Sequence, residues 1–532
     1  THRVAFKRIN ITPELTDELN LQGYYTKQPR VASEILAPLE MQLLLLEDEH
    51  YNKALFVAAD IFGFDAQVVA RIRDALEGWG IPPERLVLNA SHTHYAPGTV
   101  SSVVPSVGTI EPEYVRRIAG DIVHRMHELY ANLQPCRISS GLAHTKIGYN
   151  RRRTMEDGSV VGLPDPDGYY HAATPFLLIE RVRSVGNLLV FNHGCHPTGL
   201  DEAPVISSGY PGYARAILRE SKAIKDAMFL QGAAGSSKQG TQQGDQVRWT
   251  MTSQDIVKNG LKLARGIVDA LDESLTPVTG PIHATRRELT LPLASVPSRG
   301  TLREIRNNPE NGLWIREWAE LCLQQFGSGR VDTTSLRQVA SEVQLIGLGD
   351  TTCFLTFPGE PVAELARDLL GGNPLPPAAF FLGYTNGLHS YIPTARMIEE
   401  GGYEASASQK VYRLPADFTP AIEPILSDAV GKLTRAWHVQ SGENRAPAPT
   451  PDDKSFFCLS TGRCGTKTLA NILGLATNAE VYHHPRPYLV EETLQAYHGA
   501  LDKADTFWRA RSSVIRRAWA EDKIFGALDH NM

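Results

Sequence analysis

The stretch Leu86-Val87-Leu88-Asn89-Ala90-Ser91-His92-Thr93-His94 lies near the start of a chain of 532 residues. Its apolar first half predicts a buried strand, and two histidines follow directly after that strand. Residues i and i+2 of an extended chain point to the same face, so we expect both imidazoles to project together from the strand's end. Such an arrangement can hold a metal ion or a catalytic pair.

Three more apolar runs end in groups that could complete such a site. The run 188–192 leads to His196, the run 354–357 leads to Glu360, and the run from 380 leads to Tyr391. Hydrolytic zinc sites typically combine three protein ligands with an open position for water. In layered α/β proteins, ligands bind outside the strand ends. The residues alone leave a second interpretation open, in which the histidines are hydrogen-bonded structural residues and Glu360 stabilises a helix N-terminus.

The composition is that of an ordinary globular protein, with 42% hydrophobic and 21% charged residues. A net charge of −6 argues against a general nucleic-acid binder. No apolar run approaches the roughly 20 residues that span a bilayer, so we expect no transmembrane segment. Six scattered cysteines without a Cys-x-x-Cys pair favour a reducing, cytoplasmic setting. The first residues do not resemble a signal peptide, although the missing initiator Met leaves a removed leader open.

The alternation of strand-like and helix-like segments predicts a mixed α/β fold over residues 1–437. The predicted strands are 54–59, 187–192, 227–231, 343–348, 353–357 and 378–382. The predicted helices are 65–79 with Asp65 as N-cap, 113–131, 213–222, 255–273, 361–370 and 421–437. The polar, proline-rich residues 438–454 predict a linker. The pattern then restarts with a predicted strand at 455–459, which indicates a separate unit over residues 455–532.

Residues 1–437 resemble the neutral/alkaline (non-lysosomal) ceramidase family. The matching motifs are Ile9-Asn10-Ile11-Thr12-Pro13 with Gly23-Tyr24, Ser91-His92-Thr93-His94, Cys195-His196-Pro197-Thr198, Pro358-Gly359-Glu360, and Tyr391-Ile392-Pro393-Thr394 with Gly402-Tyr403-Glu404. The resemblance implies a layered α/β catalytic domain whose zinc is held by His92, His196, Glu360 and Tyr391. It also implies that His94 is a catalytic or orienting residue, and that Arg151 and Tyr403 contact the scissile carbonyl or polar groups of the substrate.

The chain departs from that family's pattern in two loops. Residues 229–235 match a family loop, but Ser236 follows where relatives often carry an acidic residue, and Gly209 stands where they usually carry Asp. Residues 438–532 also leave no room for the C-terminal immunoglobulin-like domain of ceramidases proper. We therefore expect a zinc-dependent amidohydrolase that cleaves an N-acyl bond of a small or lipid-like substrate, with a soluble amide or ester favoured over membrane ceramide.

Residues 460–469 form a glycine-containing turn between a predicted strand and a predicted helix. Such a turn presents backbone N–H groups to an anion, but its spacing differs from that of an NTPase P-loop. It resembles the 5′-phosphosulfate loop of sulfotransferases that use 3′-phosphoadenosine 5′-phosphosulfate (PAPS), and residues 483–487 are similar to an acceptor-side segment. The resemblance implies PAPS contacts by Gly462, Arg463, Gly465, Thr466, Lys467 and Thr468. The family's 3′-phosphate-binding elements are not recognisable after these residues, so we expect a partial module with weak or no PAPS binding.

Two other functions stay open from the sequence. The first is a PAPS-dependent sulfotransferase, in which residues 1–437 serve as a scaffold or a substrate-binding unit. The second is a ceramidase-like fold that carries another acyl chemistry in small-molecule biosynthesis or has lost the hydrolase activity. The sequence predicts no oligomeric state.

Overall fold

The structure is a computed structural model. It describes residues 2–183, 186–221, 223–244, 246–327 and 337–442, and three further strands between 456 and 529. The chain divides into two compact units, of which the first ends at His438 and the second begins at Val439. The candidate site lies entirely in the first unit.

A mixed sheet of nine strands forms the first sheet layer. Its order is Ile224–Gln231, Asn187–His193, Ala173–Arg181, Gln134–His144, His2–Asn10, Glu40–Glu47, Lys53–Ala59 and Leu86–Ala90, with Thr276–Val278 also paired to Gln134–His144. The strand pair at each edge is parallel, and the pairs between them are antiparallel. The two edge strands meet at their carboxyl ends, because the Asn89 side chain bonds to the backbone N–H and carbonyl of Gln231. The sheet therefore curls and brings both parallel pairs to one place.

A sheet of four strands packs against the inner face of the first sheet. Its order is Ile282–Pro292, Gln338–Leu348, Thr352–Thr356 and Phe380–Leu382, and the last pair is parallel. Phe56 of the first sheet contacts Phe354 of the second, with ring centroids 4.6 Å apart. The side chains of these strands point alternately into the core between the two sheets and into the cores on the outer faces of the sheets. Strands such as Glu40–Glu47 are therefore buried on both faces. That double burial explains their nearly continuous apolar sequences.

Helices cover the outer faces of both sheets, which gives a layer order of helix, sheet, sheet, helix. The helices on the first sheet are Ala66–Glu77, Pro112–His124, Gly209–Arg219 and Ser253–Leu271, and those on the second are Ala363–Gly371 and Ile422–Gly442. The other helical segments described are Met126–Ala131, Arg299–Asn307, Leu313–Gly327, Ala395–Glu400 and Ser408–Val411, the 3-10 turns Pro83–Arg85 and Pro105–Val107, and a π turn at Tyr403–Ala407. None of the helices in the described ranges has both the length and the apolar character needed to cross a membrane.

Short pairs of strands lie outside the two main sheets. They are Glu34–Ile35 with Val205–Ile206, Gly148–Asn150 with Ser237–Gln239, Arg153–Thr154 with Val160–Val161, Thr241–Gln243 with Gln246–Arg248, and Glu360–Pro361 with Tyr391–Ile392. The last of these pairs carries Glu360 and Tyr391, and the pair of Gly148–Asn150 with Ser237–Gln239 directly precedes Arg151. Paired backbone therefore supports part of the candidate site.

The predicted mixed α/β fold is confirmed, and each strand and helix predicted within residues 1–437 overlaps an observed one. The helix predicted after residues 460–469 lies outside the described residues. Asp65 caps its helix as expected, because its side chain accepts a hydrogen bond from the Gln67 N–H at 3.0 Å. The single helix predicted over 113–131 is wrong in one respect, since the chain forms two helices that meet at Arg125. The helix predicted at 213–222 begins earlier, at Gly209, because Pro211 is tolerated in a first turn, where its missing N–H costs no hydrogen bond.

The C-terminal region is described only in part. The helix that begins at Ile422 continues to Gly442, so the first residues of the predicted linker 438–454 are helical. In the second unit three parallel strands pair in the order Phe456–Leu459, Ile524–Asp529 and Ala479–His483, and the first of them is the strand predicted at 455–459. The phosphosulfate-like loop 460–469 and residues 484–487 lie outside the described residues.

Candidate metal centre

His92 follows the edge strand Leu86–Ala90 of the first sheet. The extended backbone predicted for it is wrong, because His92 has a φ of 62°, in the left-handed region that side chains rarely adopt. The conformation is held by a hydrogen bond from its N–H to the Ile61 carbonyl at 3.0 Å. The ring Nδ1 lies 2.7 Å from the Phe62 carbonyl and must therefore carry its proton. This leaves the Nε2 lone pair free to bind a metal.

His196 is fixed by the same kinds of hydrogen bond as His92. It follows the strand Asn187–His193, which belongs to the parallel strand pair at the opposite edge of the first sheet. Its N–H donates to the Ser237 carbonyl at 3.0 Å. Its Nδ1 lies 2.6 Å from the Ala234 carbonyl, so Nε2 again carries the free lone pair. The His92 and His196 rings are 5.1 Å apart between centroids, and their ligand nitrogens lie within 4.8 Å of each other.

Glu360 and Tyr391 come from the second sheet. Glu360 follows the strand Thr352–Thr356, and the pair Glu360–Pro361 lies parallel to Tyr391–Ile392. The Glu360 Oε2 atom is 3.0 Å from His196 Nε2 and 3.3 Å from His92 Nε2. The Tyr391 hydroxyl is 3.1 Å from His196 Nε2. We call His92, His196, Glu360 and Tyr391 the donor cluster.

The donor cluster fits a tetrahedral zinc ion. Zinc–ligand bonds of about 2.0–2.1 Å place neighbouring ligand atoms about 3.3 Å apart, close to the separations between these donors. All four side chains are buried, at 1–4% exposure, and two imidazoles with a carboxylate form a typical hydrolytic zinc donor set. A geometric alternative replaces Glu360 by His94, since the ring nitrogens of His92, His94 and His196 all lie within 4.8 Å of one another.

Two tyrosines that the sequence analysis did not single out complete the surroundings of Glu360. The Tyr384 hydroxyl donates to Glu360 Oε2 at 3.2 Å, and the Tyr412 hydroxyl donates to Oε1. Burial raises the pKa of Glu360, but His92 and His196 outweigh burial and hold this pKa well below its usual value. The carboxylate is therefore ionised and oriented with one oxygen toward the two imidazoles.

His94, Arg151 and Tyr403 lie beside the donor cluster, and we call them the outer group. His94 Nε2 is 3.3 Å from His92 Nε2, and the ring packs edge-on against Tyr24. Within the described residues the buried His94 Nδ1 has no hydrogen-bond partner, unlike the Nδ1 atoms of the two other histidines. Burial, with the neighbouring imidazoles, lowers the pKa of His94 well below its usual value.

Arg151 connects the outer group to the donor cluster. Its Nη1 donates to the Tyr391 hydroxyl at 3.3 Å, and its guanidinium carbon lies 5.0 Å from the centre of the Tyr403 ring. Glu404 holds the guanidinium in place through an ion pair of 2.9 Å. Burial raises the pKa of Tyr391 well above its usual value despite the opposing charge of Arg151. The structure thus brings together every site residue that was predicted in the first unit.

A buried network supports the backbone before Arg151. The carboxylate of Glu364 accepts from Asn150 Nδ2 at 2.8 Å and from Ser236 Oγ at 2.6 Å. Ser236 also accepts, through its carbonyl, the N–H of Arg151 at 2.9 Å. Ser236, at a position noted above as a departure from the family pattern, is therefore part of the site's scaffold. The other departure, Gly209, has a φ of 62°, a conformation that glycine adopts without strain.

Comparison with known proteins identifies the fold. No family model and no curated protein matches the sequence. Among solved structures, the neutral ceramidase from Pseudomonas aeruginosa is similar with a TM-score of 0.61 and 17% sequence identity, covering 82% of this chain and 75% of that one. A second structure, described as ceramidase complexed with C2, is similar with a TM-score of 0.62 and 16% identity over the same shares. At this level of identity the likeness establishes a shared fold.

Proposed function

We propose that this chain is a zinc-dependent hydrolase that cleaves the N-acyl amide bond of a small or lipid-like substrate. The observation that carries the proposal is the donor cluster, four buried donors that converge from both sheets. The fold adds support, because the chain shares it with a neutral ceramidase, a protein named for its action on a lipid amide. We assign the activity to residues 1–437, and for residues 455–532 the prediction of a partial sulfotransferase-like module stays a prediction.

Zinc in the donor cluster would supply a Lewis acid for the acyl carbonyl and would lower the pKa of a water ligand. In the overall reaction water adds to the acyl carbon, the C–N bond breaks, and a carboxylate and an ammonium ion are formed. The carbonyl oxygen gains negative charge during addition, and we assign to Arg151 and Tyr403 the hydrogen bonds that stabilise this charge. His94 takes a proton from the attacking water and passes it to the departing nitrogen.

The proposal is tested by measuring metal content and amide hydrolysis on the same preparation. We expect about one zinc per chain and turnover of N-dodecanoyl amides that stops when a chelator removes the metal. Glu360→Ala should lose both zinc and turnover, whereas Glu399→Ala, at an exposed glutamate, should keep both. A metal-free protein whose activity survives chelation contradicts the proposal.

A further inference from the structure

Lys238 lies on the same face of a two-stranded ribbon as Arg151. In the antiparallel pair of Gly148–Asn150 with Ser237–Gln239, Lys238 is opposite Tyr149. The pairing continues by one residue, because the Arg151 N–H donates to the Ser236 carbonyl at 2.9 Å. Side chains alternate along a strand, so Lys238 and Arg151 project from one face of this ribbon. Lys238 therefore points to the side on which the outer group lies.

The ammonium of Lys238 has no carboxylate partner in the part of the chain that the structure describes. Among the described residues the ammonium lies over the Trp249 ring, whose centre is 5.5 Å from Nζ. Burial, and after it the positive charge of Arg151, lowers the pKa of Lys238 to about 8. Arg151 is paired with Glu404, so Lys238 is the cation of this pair that lacks a carboxylate among the described residues. A partly buried cation without a paired anion costs free energy.

The nearby carboxylates are already engaged. Glu404 binds two guanidinium groups, those of Arg151 at 2.9 Å and Arg152 at 2.8 Å. Asp201 is exposed and accepts a hydrogen bond from the Thr250 hydroxyl at 2.7 Å. Its negative charge raises the pKa of Lys238 and opposes the effect of burial, but the two side chains form no ion pair among the described residues. The positive charge of Lys238 is therefore not neutralised by a paired carboxylate among the described residues.

A second cation flanks the site next to His94. Arg30 is buried, its guanidinium carbon lies 4.9 Å from the centre of the Tyr24 ring, and it donates to the His94 carbonyl. Its Nε and Nη1 atoms have no hydrogen-bond partner, and no carboxylate pairs with it among the described residues. Two cations without a paired carboxylate among the described residues, Lys238 and Arg30, thus flank the outer group, and a negatively charged substrate group is favoured beside either of them.

We propose that the amide hydrolysed at this site carries a carboxylate close to the scissile bond, and that Lys238 binds this carboxylate. The inference rests on the proposed hydrolase function and narrows its substrate class from amides in general to acidic amides. The carboxylate could belong to the amine half, as in an N-acyl amino acid, or to the acyl half, as in the monoamide of a dicarboxylic acid. Both present the same anion to Lys238, and the experiment separates them.

The test compares three substrates with the zinc-loaded full chain. They are N-dodecanoylglycine, the mono-ethylamide of dodecanedioic acid, and neutral N-dodecanoylethanolamine. We expect kcat/KM for one of the two acidic amides to exceed that of the neutral amide by at least about tenfold, since hydrogen bonds to charged groups contribute about 1.5–3 kcal/mol. The acidic amide that is preferred identifies the half that carries the carboxylate.

Variants at Lys238 assign this preference to its charge. Lys238→Met should lower kcat/KM for the preferred acidic amide about 10- to 100-fold, mainly through KM, and should lower kcat/KM for the neutral amide by a much smaller factor, so that the preference is lost. Lys238→Arg should restore most of the preference, which shows that lost charge rather than lost packing is responsible. Lys146→Met is the matched control, because Lys146 also lies over an aromatic ring, that of Tyr149, but is exposed.

The outcomes separate this inference from the function on which it rests. If the neutral amide is cleaved at least as well as both acidic amides, the inference is wrong and the hydrolase function stands. If the acidic preference survives in Lys238→Met, the assignment to Lys238 is wrong. If the zinc-loaded chain cleaves none of the three amides, the proposed function fails, and the inference fails with it.

Discussion

The donor cluster and the outer group are neighbours with opposite surroundings. Every donor is nearly inaccessible, whereas His94, Arg151 and Tyr403 are each partly exposed. His92 and His196 have their second ring nitrogen fixed on a backbone carbonyl, and the buried Nδ1 of His94 has no partner within the described chain. The histidines of the donor cluster are therefore fixed at both ring nitrogens, whereas the ring of His94 in the outer group is not.

This difference separates holding an ion from handling a substrate. A metal ligand gains from a fixed ring and a fixed tautomer, since both preorganise the lone pair. A group that exchanges protons with a substrate gains from an unengaged ring nitrogen and from access to the substrate. His92 and His94 are two residues apart, so the comparison can be tested with single substitutions at almost the same place.

The largest expected effect separates these two histidines. His92→Ala should lose bound zinc and essentially all turnover, because it removes a ligand. His94→Ala should retain about one zinc per chain while kcat falls by about 10²- to 10⁴-fold, the usual contribution of a general acid–base group. Metal content and kcat, measured on both variants and on the exposed-site control His124→Ala, test this division. If His94→Ala loses the metal as completely as His92→Ala, the three histidines form the ligand set instead.

A smaller effect, on zinc affinity, is expected at Tyr412, which contacts Glu360 of the donor cluster. Tyr412→Phe removes the hydroxyl that donates to Glu360 Oε1 and leaves the ring in place. Because partners of a metal ligand orient it, zinc affinity should fall about 10- to 100-fold. Competition with a chromophoric chelator measures this affinity, and Tyr213→Phe, on the helix Gly209–Arg219, serves as the control. An unchanged affinity would mean that Glu360 is oriented by its backbone and by Tyr384 alone.

The sequence predicted the parts of the site that follow buried strands. His92, His196 and Glu360 each come after an apolar run, and such runs are recognisable without a structure. The sequence did not predict that the edge strands of one sheet meet through Asn89 and Gln231. Curling of a sheet depends on packing between layers, which local patterns do not encode. The convergence of the ligands was therefore expected from a family resemblance and not from periodicity.

Local reasoning predicted the proximity of the two histidines for the wrong reason. Alternation in an extended chain predicted that His92 and His94 project together, and their Nε2 atoms do lie 3.3 Å apart, but His92 is left-handed and not extended. Its conformation is imposed by a hydrogen bond to Ile61, a residue distant in sequence. Tyr384 and Tyr412 were missed for the same reason, since their contacts with Glu360 arise only in the folded chain.

The smallest expected effect tests whether the outer group depends on its own buried support. Glu364→Gln keeps the size of the side chain but removes its charge and replaces one acceptor by an amide donor, so the bond from Asn150 is lost or the bond from Ser236 must reverse its direction, and both lose the charged acceptor. The backbone before Arg151 then loosens, and kcat/KM should fall about tenfold, in line with one buried hydrogen bond of about 1–1.5 kcal/mol.

Zinc content should stay near one per chain in Glu364→Gln, because Glu364 contacts no member of the donor cluster within the described residues. Asp368→Asn, at an exposed position of the same helix, is the matched control. A loss of zinc that parallels the loss of activity would mean that the two regions share one scaffold and do not vary independently.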